Sequence, residues 1–455
     1  MRDASTVGDA LVAHGFLPTA ADERESSFAQ CAAALDTIAA PSGRRRVQVW
    51  APGRIEVFGK HTDYAGGRSL LTAVERGFSV VAAPRTDAQI RVLDPTTGNS
   101  CESLLDASAS APDGHWSNYV ATLARRVARN FPNARTGIDL AFVSDLPPAA
   151  GVSSSSALMI GVFSALAAVN NLPDTAAWRA SLATLPELGG YLGAMENGLS
   201  YGALDGDSGV GTLGGSQDQT AILCAERGRV VDFSWMPVRK LGSHALPDSM
   251  CFVVASSGVV AEKSAGTREL YNRASLLVRH LVALWNDAKG RNEHSLAAVV
   301  CSSGDAADEL RALVVRGGDA RYPAEALLRR LEQFLLETYT LIPAAADALD
   351  RQDWPALGDA AARSQGAAAA GLQNQVPETV ALVEDASRLG AVASSAFGAG
   401  FGGSVWALVA GTDAADFRRR WLEAYARRFP HAAARAMFFA THAGPAAFSW
   451  FGDDA

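Results

Sequence analysis

An α+β fold in two lobes is what this sequence predicts, on three observations. From Val47 onward, strand-like and helix-like segments alternate without forming a repeat. Beyond Phe252–Ser256 the balance shifts to long helical stretches, closed by one more strand and helix. The chain is 455 residues long and 48% hydrophobic, enough to bury more than one core.

The elements follow in order. Residues 1–46 read as a helical preface, with apolar spacing across Phe28–Ile38 and a break at Pro41-Ser42-Gly43. Val47–Phe58, Arg76–Ala83 and Ile90–Leu93 read as strands, Trp116–Phe131 as a helix and Gly137–Val143 as a strand. Ser154–Val169 is strongly helical, whereas Thr220–Cys224 and Val230–Phe233 are expected to pair as hairpin strands. Glu269–Ala288, Ala324–Leu341 and Pro377–Leu389 are expected as helices, Ser404–Ala410 as a strand and Ala414–Phe429 as a helix. The expected division is a preface at 1–46, a first lobe at 47–235 and a second lobe at 236–455.

Composition narrows the function. A net charge of −8 leaves no basic footprint for nucleic acid, and the triplets Arg44–Arg46 and Arg418–Arg420 read as solvated surface. Five scattered cysteines form no metal-ligand or disulfide pattern. The N-terminus lacks a secretory apolar core, and no run of about 18 apolar residues occurs. These features predict a cytoplasmic protein with no membrane and no nucleic-acid partner.

Two glycine- and serine-rich segments carry chemistry. In Leu146-Pro147-Pro148-Ala149-Ala150-Gly151-Val152-Ser153-Ser154-Ser155-Ser156, small residues free backbone amides ahead of a helix N-terminus, the recipe for holding a polyphosphate. It is not the lysine-bearing phosphate loop of G-x-x-x-x-G-K-[ST] form. Gly398, Gly400 and Gly403 satisfy G-x-G-x-x-G, but Ser404–Val409 reads as strand where a dinucleotide site needs a helix.

A third segment, Pro52-Gly53-Arg54-Ile55-Glu56-Val57-Phe58-Gly59-Lys60-His61-Thr62-Asp63-Tyr64, resembles the galactokinase signature P-G-R-V-N-L-I-G-E-H-T-D-Y. The serine loop resembles the phosphate loop of the GHMP small-molecule kinases, and the 395–404 segment resembles their third motif with Ala399 replacing a glycine. His61-Thr62-Asp63-Tyr64 separates the chain from mevalonate- and homoserine-type members of that superfamily. The resemblance implies a ribosomal-protein-S5-like lobe, a ferredoxin-like lobe, and an ATP- and Mg²⁺-dependent sugar kinase acting on an anomeric hydroxyl. It further implies that Asp218, in Gly214-Gly215-Ser216-Gln217-Asp218-Gln219, orients that hydroxyl and accepts its proton, and that Arg54 stabilises charge and holds Asp218. By the same match Lys60, His61, Asp63, Gly215 and Tyr271 fall at sugar-binding positions. Gly151, Ser153, Ser154, Ser155, Ser156, Trp116 and Gly400 fall at ATP-binding positions, and Ser155 and Glu196 at the Mg²⁺. The family places about ten fewer residues between this Glu and the catalytic Asp, so Leu204–Leu213 reads as an insert, and Asp205 and Asp207 within it are competing metal ligands. A non-catalytic sugar- and ATP-binding sensor is the competing class.

The match departs from the family at Glu56, where galactokinases carry Asn, and at Lys60, where they carry the Glu that contacts the sugar C6 hydroxyl. Lysine has only donors, so Lys60 suits a C6 carboxylate such as that of galacturonate. Equally, an even spacing places Glu56 and Lys60 on one face of an extended segment, where they would neutralise each other. Only four of the 40 basic residues are lysine, so drift to a cation would sooner have given arginine.

Overall fold

The computed structural model describes residues 6–39, 45–109, 116–147, 151–259, 265–317 and 321–452. Helices α1 (Val7–Ala13) and α2 (Pro18–Asp36) precede strand β1 (Val47–Phe58), which pairs antiparallel with β2 (Arg68–Pro84). Then come β3 (Gln89–Asp94), β4 (Asn99–Leu104), α3 (Ser117–Asn130), β5 (Ile138–Ser144), α4 (Ser154–Val169), α5 (Ala176–Ser181), α6 (Leu185–Asn197) and α7 (Gln217–Cys224). Strands β6 (Arg229–Ser234) and β7 (Arg239–Ala245) complete this part.

The second part runs through β8 (Met250–Ser256), α8 (Ala265–Lys289), α9 (Leu296–Val300), α10 (Ala306–Gly317), α11 (Ala324–Leu336), α12 (Ile342–Arg351), α13 (Trp354–Ala367) and α14 (Pro377–Arg388). It closes with β9 (Ala393–Phe397), β10 (Ser404–Ala410), α15 (Ala414–Arg428), α16 (Pro430–Ala433), β11 (Met437–Thr441) and β12 (Phe448–Phe451).

These elements build two sheets. The larger has the order β12-β1-β2-β5-β3-β4, with β6 and β7 extending from β2; the smaller has the order β11-β8-β10-β9. Two segments cross the division expected at Trp235–Met236. Strand β7 remains in the first sheet, and the last strand, β12, returns to pair with β1.

The helical preface has a clear physical role. Phe16, Phe28, Cys31 and Leu35 are buried against Trp50, Val81, Ala141 and Trp450, so α1 and α2 cover one face of the large sheet. Helices α3 and α4 cover the other face, in the main core with Val49, Val80 and Leu140. A sheet covered on both faces explains the nearly continuous burial of β2. Arg24 of α2 also reaches Asp145, at the start of the serine loop, with a 2.6 Å ion pair.

One expectation fails. Thr220–Cys224 is not a strand but the end of helix α7. A short apolar run cannot be assigned by periodicity alone. Here residues 219–223 are all buried, and Asp218 in the first turn suits the positive helix N-terminus. The helix expected across Ala324–Leu341 is present but changes at Glu337–Leu341 to a π-helical turn before α12. Pro343 follows immediately and offers no N–H to the preceding turn.

Phe28 is 1% exposed and its ring lies 5.3 Å from that of Trp450. Phe28→Ala should therefore lower the unfolding free energy by about 3–5 kcal/mol, measured by urea denaturation, if α2 is integral to the lobe. A loss under about 1 kcal/mol would show the preface to be dispensable.

Candidate functional site

Register irregularities in β1, between Pro52 and Arg54 and again between Glu56 and Phe58, interrupt its ladder with β2. Such bulges re-aim side chains, and the residues between them build the site. Arg54 is 4% exposed at its side chain, and its Nε and Nη2 donate to one carboxylate oxygen of Asp218 at 2.8 and 2.7 Å. Its Nη1 donates to the Gly151 carbonyl at 2.5 Å, and its guanidinium lies 5.7 Å from the Phe397 ring. Gly398 packs so close that an added Cβ would lie 3.2 Å from the Gly151 carbonyl oxygen. One buried guanidinium thus joins the signature strand, the serine loop, the Asp218 helix and the third motif. The Asp218 carboxylate stays 34% exposed, open to a substrate.

The serine loop fits a polyphosphate. Pro148, Ala149 and Ala150 lie outside the described residues. Ser153 takes a left-handed backbone (φ 63°), strained for a residue other than glycine, and its buried hydroxyl has no hydrogen-bond partner among the described residues. It caps the 16-residue α4, whose first-turn amides receive no side-chain cap. A helix N-terminus with an unpartnered hydroxyl is matched to phosphate oxygens. Ser154 and Ser155 are partly exposed and Ser156 is buried in the first turn. Trp116 sits just before α3 with its ring edge-on to Phe142.

Gln219 bridges the next pair of elements. Its amide donates to Glu196 Oε2 at 2.5 Å and to Ser156 Oγ at 3.4 Å. Glu196, at the end of α6, is thereby held beside the start of α4. Ser155 and Glu196 supply hydroxyl and carboxylate oxygen, suited to a hard cation whose remaining ligands are phosphate oxygens and water. Asp207 is taken up elsewhere, paired to Arg125 at 2.5 Å and Arg129 at 3.5 Å. These arginines help hold its carboxyl below the usual range against the opposing effect of burial. Asp205 is exposed.

The proposed sugar contacts are drawn in from several elements. Burial and the neighbouring Arg330 push the His61 imidazole down to about 4, so the ring is neutral at neutral pH. With its proton on Nε2, it donates to the Ala399 carbonyl at 3.3 Å and accepts from Tyr64 at Nδ1, 2.8 Å away. The third motif therefore reaches His61 as well, and Gly400 follows it, stacked against Asn374. Asp63 accepts from the backbone of Tyr64 and Gln217, while burial raises its carboxyl above the ordinary value. Gly215 is needed beside it, because a Cβ there would stand 2.3 Å from the Asp63 carboxylate. The Tyr271 side chain lies outside the described residues.

Lys60 turns to a hydrogen-bond partner that neither sequence reading named. Its side chain is 1% exposed, and its ammonium donates to Ser364 Oγ at 2.8 Å. Ser364 donates onward to Glu337 at 3.0 Å, and the same carboxylate oxygen accepts the Gly59 N–H at 2.9 Å. Glu56 instead accepts from the side-chain amide of Gln217, beside Asp218. Lys60 thus lies in a closed network with two buried carboxylates nearby and is not free to meet an acidic C6 group. Sequence reasoning missed Gln217 and Gln219 although they flank Asp218. Glu337, Ser364 and Arg330 carried no motif at all; Arg330 grips this segment through the His61 carbonyl at 2.5 Å.

Comparison with known proteins agrees with this geometry. Residues 42–84 match the profile described as the galactokinase galactose-binding signature, 118–197 the GHMP kinases N-terminal domain, and 345–427 the GHMP kinases C-terminal domain. The chain is similar to galactokinases in its sugar-binding signature and to the GHMP kinases in both of their domains. A galactokinase of Actinobacillus pleuropneumoniae is 33% identical over 125 residues, 28% of this chain and 33% of that protein. The chain thus aligns with only about a third of this relative's length. One of Chloroflexus aggregans is 28% identical over 385 residues, 83% of this chain and 87% of that protein. The fold matches the Lactococcus lactis galactokinase solved with galactose, at TM-score 0.69 and 22% identity, over 88% of this chain and 95% of that one. A Methanococcus jannaschii mevalonate kinase matches at 0.53 and 14% identity, over 89% of this chain and 99% of the other. The mixed α+β architecture is as the sequence predicts.

Burial pushes the Glu56 carboxyl up to about 7, with Arg54, Lys60 and Gln217 pulling it back down. The folded protein therefore binds a proton here at pH values where the unfolded chain has released it. This contribution to stability is lost as pH rises from about 4.5 to 7. Glu56→Gln removes it, so the melting temperature of the variant relative to the parent should rise as pH goes from about 5 to 8. A difference that stays constant or falls, by calorimetry, would contradict a raised Glu56.

Proposed function

We propose that the protein is a sugar 1-kinase that transfers the γ-phosphoryl group of ATP to the anomeric hydroxyl of galactose or a close neutral relative. The observation that carries this reading is the meeting of Arg54, Asp218, Gly151 and Gly398 at one point. It places an exposed carboxylate beside a loop suited to polyphosphate. In the proposed step the bond from the γ-phosphorus to the ADP oxygen breaks and a bond to the sugar oxygen forms. The hydroxyl proton passes toward Asp218.

Phosphoryl transfer asks mainly for alignment and charge stabilisation. Asp218, fixed through Arg54, orients the hydroxyl. Arg54 supplies positive charge at the same point. Ser153 and the α4 amides hold phosphate oxygens. A bound Mg²⁺, held by Ser155 and Glu196, would neutralise phosphate charge.

A neutral sugar is favoured by the Lys60 network. A C6 carboxylate would find the Lys60 ammonium buried and donating to Ser364, with the carboxyl groups of Glu56 and Glu337 close by. The sensor reading gains no support, because Arg54, Asp218 and the serines of the phosphate loop are all in place.

ATP consumption with galactose, galacturonate, arabinose, fucose, glucose and N-acetylgalactosamine tests the reading. Galactose should be turned over, with phosphate on C1 by NMR. Asp218→Asn should reduce kcat roughly 10²–10⁴-fold with the fold intact. Turnover of galacturonate but not galactose, or an active Asp218→Asn, would overturn it.

A further inference from the structure

A cavity of about 480 Å³ is lined in part by Asp63 and Gly215, within the usual size of small-molecule sites, about 300–1,000 Å³. Asp218, Arg54, His61 and Lys60 do not line it. Its walls join α6, the segment after it, the turn between β6 and β7, and α8. Tyr201, Trp235 and Val282 give it apolar surface, and Arg279 and His294 are exposed polar groups along it. Leu199 and Met236, each 52% exposed, both belong to it. Two large apolar side chains left open beside one concavity mark a binding surface more than chance exposure does.

The walls are held by defined contacts. Asn197 accepts the Gly214 N–H at 2.7 Å and donates to the Gly215 carbonyl at 3.2 Å, fixing the strip shared with Asp63. Trp235 is held by its indole N–H on Ser69 at 3.0 Å. Tyr201 is set by a reciprocal backbone bridge with Leu204, the first residue of the insert. The insert is anchored at Asp207 by Arg125, and its end is tied to α8 where Asn272 accepts the Leu213 N–H at 3.0 Å. The extra residues thus brace one wall and bind it to the opposite lobe.

We propose that this cavity is an acceptor subsite for a second sugar unit, so that the preferred substrate is a disaccharide whose reducing-end galactose lies beside Asp218. Aromatic and aliphatic walls suit the C–H faces of a pyranose, and Arg279 and His294 suit its hydroxyls. Asp63 and Gly215 line the cavity and also stand at the positions proposed for the first sugar, so the two units would meet there. The inference rests on the sugar-kinase reading and goes beyond it in naming the substrate class.

The test compares galactose with 3- and 4-linked galactobiose, in turnover with ATP and in calorimetric binding without it. Val282→Trp fills the cavity, and Met236→Ala, at an exposed position, removes a wall with little risk to folding. At least one galactobiose should show a KM and Kd roughly tenfold or more below those of galactose. Val282→Trp should abolish that advantage and Met236→Ala should reduce it, both leaving galactose within about twofold. Equal handling of both sugars by the parent protein overturns the subsite, as does a variant that weakens both sugars by the same factor. If galactose is turned over and galactobiose is no better, the subsite fails and the kinase reading stands. If no sugar is phosphorylated but galactobiose binds tighter in a Val282-dependent manner, the kinase reading fails and the subsite stands.

Discussion

Everything proposed for this protein depends on where one buried guanidinium is held. Arg54 sits in the core side of β1 and can be there only because its donors are taken by Asp218 and the Gly151 carbonyl. An arginine buried without such partners would be strongly unfavourable. The requirement therefore works in both directions. The folded core fixes Arg54, and Arg54 forces the serine loop and the Asp218 helix to lie within reach of each other. Distant parts of the sequence are brought to one place by the need to satisfy one cation.

A second set of buried charges sets the substrate question. Glu56, Lys60 and Glu337 lie under 4% exposure, with one oxygen each of Glu56 and Glu337 lacking a hydrogen-bond partner among the described residues. Removing one member of such a group costs about 3–5 kcal/mol, because it leaves the others uncompensated. Lys60 lies near two buried carboxyl groups, one supplied by β1 and one by the π-helical turn after α11, and reaches the second through Ser364. The same network grips the backbone of Gly59 and, through Arg330, His61. Rigid placement of the signature segment is its evident consequence.

Much of this was legible in the sequence, for definite reasons. Arg54, Asp218, the serine loop and the 395–404 segment lie in dense local motifs, and glycine at positions such as 215 is dictated by contact with Asp63. The preface could be read as helical, but not as the cover of a sheet, since that depends on Trp50 and Trp450 far along the chain. Helix α7 was misread because a five-residue apolar run carries no period of its own. The partner of Lys60 was out of reach. Ser364 and Glu337 stand about 300 residues away on unremarkable helices, and only the fold brings them back.

A crystal structure with galactose and a non-hydrolysable ATP analogue bears most directly on the central claim. The account predicts the anomeric hydroxyl within about 3 Å of Asp218 and the γ-phosphate between Arg54 and the start of α4. Lys60 should remain on Ser364. A sugar bound with its anomeric carbon remote from Asp218, or a triphosphate that leaves Ser153 and the α4 amides untouched, would contradict it.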